Sequence, residues 1–129
     1  MQSRHVSCVI NSDCQRVYDF VVDPDNLPRW ALGLAQAPVQ RDEDDLVVAS
    51  PMGDVRVRFV PRNEYGVVDH DVTLPSGAIV NNPMRVLKHP EGCEVVFTLR
   101  QHELTDGEFD QDCRMVANDL ARLRQLLEV

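Results

Sequence analysis

The sequence predicts an α+β fold: one strand and two short helices, then a run of antiparallel strands, then one long C-terminal helix. Three observations predict it. Beyond residue 45 the apolar period changes from helical to alternating. The breaks between the alternating runs are short and rich in Pro and Gly, which implies hairpins rather than crossovers. Near the C-terminus Phe109, Cys113, Val116, Leu120, Leu123 and Leu127 recur at alternate spacings of four and three. That stripe makes one strongly apolar helical face, which needs a sheet to cover it.

Residues 4–10 read as the opening strand. Ser12 with Gln15 three positions on carries the pattern of a capping box, and Val17, Phe20 and Val21 follow on one helical face. Asp23-Pro24 restarts the chain, because Asp caps and Pro fits the first helical position, where an N–H has no partner anyway. The short second helix runs to about Trp30. After the Asp42-Glu43-Asp44-Asp45 tip, strands are predicted at 46–50, 54–60, 66–74, 78–88 and 93–102. Pro51-Met52-Gly53, the 61–65 loop, Pro75-Ser76-Gly77 and His89-Pro90-Glu91-Gly92 separate them. A second capping box, Thr105 and Glu108, opens the last helix.

The loops also predict a register, since residues directly opposite across an antiparallel pair share a face. A four-residue loop at 62–65 sets Phe59 against Val68, Val57 against His70 and Val55 against Val72, with Arg58 opposite Asp69 and Arg56 opposite Asp71. Closing the chain over Pro75-Ser76-Gly77 sets Val72 against Val80, His70 against Asn82 and Val68 against Met84. The last hairpin sets Val86 against Val95, Met84 against Phe97, Asn82 against Leu99 and Val80 against Gln101. Three loops thus agree on one apolar face. The other face carries Arg56, Arg58, Asp69, Asp71, Asn81, Thr98 and Arg100 and reads as a solvated surface with cross-strand ion pairs. Asn81-Asn82-Pro83 interrupts its strand, because proline cannot donate to a ladder, and a bulge or an edge is expected there.

Composition narrows the function. The 129 residues suit a single domain spanning 1–129. A net charge of −8 opposes phosphate backbones, and one Trp, two Tyr and four Phe are too few for a base-stacking platform, so nucleic acid is not an expected partner. No apolar run approaches the roughly 20 residues that span a bilayer, and the N-terminus lacks the apolar block of a secretory signal. A cytoplasmic protein without membrane insertion is expected. The four cysteines, Cys8, Cys14, Cys93 and Cys113, form no CxxC pair and read as reduced thiols. His5-x-x-Cys8 and His89-x-x-x-Cys93 each look like half a zinc site without the other half, so no metal and no cofactor is expected. The acidic 42–45 run lacks the alternating ligands and glycine of a calcium loop and is assigned no role.

Three polar residues break the apolar face: His70, Asn82 and Gln101. A buried polar group left unpaired costs about 1–3 kcal/mol, so something must satisfy them. A mutual His–Asn hydrogen bond or an ordered water does so in a filled core. A small-molecule cavity does so as well, with apolar walls and a few convergent polar groups. Trp30, Phe59, Met84 and Phe97 are the candidate wall, Trp30 serving either as a cover for the cavity mouth or as ordinary packing. His70 is also the one candidate general acid or base, since imidazole titrates near neutral pH, and Asp69 and Asp71 are expected on the other face. No Ser-His-Asp arrangement, GxSxG, nucleotide-binding glycine loop or HExxH is present.

The element order, the run from Ser12 through Asp23-Pro24 to Trp30, and the closing segment Asn118–Glu128 resemble the START-like (SRPBCC) superfamily, which includes polyketide cyclase/dehydrase-like proteins. The resemblance covers essentially the whole chain and rests on signatures of fold. It implies a helix-grip fold, a curved antiparallel sheet wrapped around the long C-terminal helix, with a pocket for lipid- or polyketide-like molecules between them. Active residues are not shared across the superfamily's branches, so none is carried over. Three functions follow as expectations: binding of a small, largely apolar ligand, a cyclase or dehydratase using His70, or an acidic interaction module with a filled core.

Overall fold

The computed structural model describes residues 1–128. The chain runs β1 (Ser3–Ile10), α1 (Cys14–Val22), a 3-10 turn (Pro24–Asn26) leading into α2 (Leu27–Trp30), β2 (Gln40–Asp42), β3 (Asp45–Ser50), β4 (Gly53–Phe59), β5 (His70–Thr73), β6 (Ile79–Asn82), β7 (Met84–His89), β8 (Gly92–Arg100) and α3 (Asp106–Leu127). This is the α+β helix-grip arrangement, with two short helices after the first strand and α3 packed on β1, β8 and α2.

Two of the three helix starts follow the sequence signals. Asp23 accepts from the amide of Asp25, and Thr105 and Glu108 form a reciprocal capping box on α3. The first helix corrects the expectation. Its cap is Asp13, whose carboxylate accepts from the amides of Gln15 and Arg16, whereas Ser12 Oγ accepts from the Arg16 guanidinium at 2.9 Å. The α3 stripe is buried as expected, with Phe109, Cys113, Leu120, Leu123 and Leu127 sealed and Val116 half-buried.

The strands form two ladders, β1-β8-β7 and β2-β3-β4-β5-β6. They are joined at Pro83, the only residue between β6 and β7. The predicted 78–88 strand is therefore one strand broken where its proline has no N–H to give. The predicted 66–74 strand is regular only over β5, but Val67 still bridges Arg85, and the Val68 amide donates to the Met84 carbonyl at 2.9 Å. At the break the Asp69 carboxylate accepts from the Met84 amide at 2.8 Å and from the Arg85 guanidinium at 2.7 Å. A side chain thus takes over where the backbone ladder lapses.

The register is correct in the second hairpin: His70 opposes Asn82 and Val72 opposes Val80. It is also correct in the third as far as Met84 opposite Phe97. The two pairs beyond, Asn82–Leu99 and Val80–Gln101, do not form, because β6 leaves β8 at Pro83. The first hairpin is shifted by two: Phe59 opposes His70, Val57 opposes Val72 and Arg58 opposes Asp71. The connection is longer than the four residues assumed. Asn63 organises it: its side chain accepts from the amides of Tyr65 and Val67 and donates to the carbonyls of Pro61 and Val67, and its backbone amide donates to Tyr18 Oη. Because the shift is even, every residue keeps its face.

The outer-face ion pairs change partners accordingly. Arg56 pairs with Asp42 and Asp45, Arg58 with Asp45, and Asp71 accepts from Asn81. The acidic tip, assigned no role above, therefore holds these two arginines. It closes a β2–β3 hairpin in which Asp42 opposes Asp45 and Glu43 takes a positive φ of 57°.

Candidate functional site

The inner face of the sheet carries a short row of aromatic rings at the seam between the two ladders. Phe59 on β4 and His70 on β5 are direct cross-strand partners, with ring centroids 4.9 Å apart. On its other side His70 meets the edge of Phe97 on β8 at 5.7 Å. His70 can touch a ring on the other ladder because the seam at Pro83 brings β5 and β8 to the same place. His70 is buried, only 5% exposed, between two half-buried phenylalanines. Met84 is fully buried opposite Phe97, and half-buried Asn82 is the cross-strand partner of His70.

The His70 ring makes one hydrogen bond among the described residues, from Nδ1 to the Val68 carbonyl at 3.0 Å. A carbonyl oxygen only accepts, so Nδ1 carries the proton and the neutral ring presents a lone pair at Nε2. Burial pushes the imidazole below its ordinary pKa, against the opposing pull of the Val68 carbonyl and of Asp69 and Asp71. The neutral form is therefore favoured. Nε2 has no partner among the described residues, and it is not among the sealed, unpaired atoms of the interior, so the ring's small exposure includes that nitrogen. The mutual hydrogen bond between His70 and Asn82, one of the alternatives the sequence left open, does not form. The Asn82 amide also has no side-chain partner among the described residues.

The other anticipated residues lie in different settings. Gln101 donates from Nε2 to the Leu104 carbonyl at 3.0 Å and to Asp106 at 2.8 Å, which ties the end of β8 to the start of α3. Trp30 is buried in the main core cluster, and its Nε1 is sealed without a partner among the described residues. A cavity of about 150 Å³ opens beside Phe59, lined also by Val22, Val60, Arg62, Val67 and Val68. Phe59 is the only anticipated ligand residue among its walls, which lie at the end of α1 and in the β4–β5 connection. The Arg62 side chain there is engaged by Asp19 and lies over the Tyr18 ring. Sequence reasoning missed this corner because 61–65 was read as a plain loop and 66–69 as part of a strand. Asn63, flanked by Pro61 and Gly66, was the signal for an ordered turn.

The remaining titratable candidates are occupied. His5 Nδ1 shares a hydrogen bond with Thr98 Oγ1 at 2.9 Å, and His89 Nδ1 accepts from the Glu91 amide at 3.0 Å. All four cysteines are free thiols, and burial beside Cys14 pushes Cys93 up to about 12, far from thiolate reactivity. Among the described residues no helix is long and apolar enough to cross a membrane.

No protein-family model and no curated protein matches the sequence. Solved structures do match in fold. The chain is similar to the protein XoxI from Bacillus cereus, at 15% identity and a TM-score of 0.74, covering 98% of this chain and 96% of that one. It is similar to Aha1 from Colwellia psychrerythraea, solved as a dimer, at 16% identity and a TM-score of 0.79, covering 100% and 98%. It is also similar to DynU16, a protein of the dynemicin biosynthetic locus, at 14% identity and a TM-score of 0.77, where it covers all of this chain and 48% of the other. At these identities the likeness is one of fold.

Proposed function

We propose that the protein is a START-like (SRPBCC) ligand-binding protein that takes up a small, largely apolar molecule on the inner face of the sheet. The observation that carries this reading is the buried His70 ring, set between Phe59 and Phe97 with its Nε2 lone pair unpaired among the described residues. An apolar wall holding one or two unspent polar groups suits a ligand that needs orienting. The Asn82 amide on the same face is the second such group. The free volume beside Phe59 is below the roughly 300–1,000 Å³ usual for ligand sites, so the ligand is small or is admitted by rotation of the half-buried rings. The likeness to a protein of a biosynthetic locus fits a small-molecule role.

Binding is favoured over cyclase or dehydratase chemistry on electrostatic grounds. A general base must hold the proton it takes, and burial lowers the basicity of His70. Asp69 and Asp71, which would stabilise an imidazolium, are turned to Met84 and Arg85 and to Asn81.

Native mass spectrometry of freshly purified protein tests the proposal. An excess mass that disappears on denaturation is expected, either as isolated or after incubation with small aromatic and polyketide-like compounds. No adduct under either condition overturns it.

A further inference from the structure

The hydrogen bond that positions His70 also determines what its ligand must offer. We infer that the site selects neutral molecules carrying a hydroxyl or N–H donor, such as a phenol or an enol, and discriminates against carboxylates and against analogues without a donor. This rests on the binding reading above and gives it a ligand chemistry.

Three observations carry the inference. The Val68 carbonyl, 3.0 Å from Nδ1, holds the proton on that nitrogen, so Nε2 can only accept while the ring is neutral. The ring is buried between two phenylalanines, where an added charge is poorly solvated and an unmet hydrogen bond is costly. The cation lining the neighbouring cavity, Arg62, is already paired with Asp19. An anionic ligand would turn its charge toward a lone pair, whereas a donor hydroxyl gives the Nε2 lone pair a hydrogen-bond partner. A site built to hydrogen-bond a ligand hydroxyl rejects analogues lacking it, because its polar group is then left unpaired.

The experiment compares three two-ring probes, 2-naphthol, 2-methoxynaphthalene and 2-naphthoate, by NMR titration of the whole protein and of His70→Phe. Imidazole ¹⁵N shifts are recorded on the unaltered protein. The ¹⁵N spectrum should show Nδ1 protonated and Nε2 bare, with Nε2 shifting on addition of 2-naphthol. In the unaltered protein 2-naphthol should bind about tenfold more tightly than 2-methoxynaphthalene, about 1.4 kcal/mol. 2-Naphthoate should bind weakest. In His70→Phe the preference for the hydroxyl should fall to near unity while the apolar probe still binds. Equal binding of 2-naphthol and 2-methoxynaphthalene, tighter binding of 2-naphthoate, or an Nε2–H tautomer refutes the donor rule and leaves ligand binding standing. Failure of all three probes to bind removes both. The ¹⁵N measurement and the probe ranking need only the unaltered protein, so a misfolded His70→Phe does not remove the test.

Discussion

His70 and Asp119 are the two polar or charged residues buried among those described, and burial acts on them with opposite sign. Asp119 on α3 accepts from the Gly33 amide at 3.2 Å and lies 3.4 Å from the Arg122 guanidinium, yet desolvation raises its carboxyl from 3.8 to about 6. Between about pH 4 and pH 6 the folded protein keeps a proton that the unfolded chain has released. Stability at this site therefore falls as pH rises through that window and is level above it. His70 works the other way. Its folded pKa is depressed, so its contribution is complete above the unfolded value of 6.5 and is lost as pH falls towards the folded one. Asp119→Asn keeps an acceptor for Gly33 and discards the charge. Urea midpoints should show it about 1–2 kcal/mol more stable than the parent at pH 7.5 and nearly equal at pH 3.5, since a pKa unit is worth about 1.4 kcal/mol and Arg122 loses its partner. A gain of the same size at both pH values would mean that the Asp119 charge is not the cause.

At the scale of elements, caps and connections decide where secondary structure starts and how strands align. Ser12 and Asp13 are both good caps by residue type. The backbone chooses Asp13, whose φ of −60° and ψ of 136° leave its carboxylate facing the first free amides of α1. Asp13→Ala should cost about 1 kcal/mol in a thermal or urea melt, and Ser12→Ala clearly less, since Ser12 holds only the exposed Arg16 side chain. The reverse order would restore Ser12 as the cap. Loop length was the weaker guide to register. The turns over Pro75-Ser76-Gly77 and His89-Pro90-Glu91-Gly92 are short and gave correct pairs, while the 60–69 connection is folded on Asn63 and displaced β4 by two residues. A side-chain-organised turn hides its true length from a count of residues.

Over the whole molecule, the sheet is two ladders held at one seam. Gly66 is central to the join: its carbonyl accepts from the Val86 amide at 2.8 Å, its φ is +71°, and a Cβ built there would stand 2.2 Å from the Val86 carbonyl oxygen. Gly66→Ala should cost about 2 kcal/mol or more, combining the left-handed backbone with a backbone clash. Hydrogen exchange should show the Val86 amide losing protection more than the amides of β1 and β8. Unchanged protection at Val86 would show that the seam tolerates a side chain there.

The α+β class, the capped C-terminal helix with its buried stripe, and the inner or outer face of every residue compared above were determined by the sequence alone. These follow from periods of 3.6 and 2 and from local capping chemistry, and an even slip in register leaves faces unchanged. The tertiary structure alone decided which side chains meet. The break at Pro83 lets His70 touch Phe97 across the two ladders, and Asp69 fills the gap there. The Val68 carbonyl accepts the hydrogen bond from His70 Nδ1, and the start of α3 takes up the Gln101 amide. Partners of this kind depend on the position of a third strand or a helix end relative to the pair, and no periodicity within a strand encodes that distance.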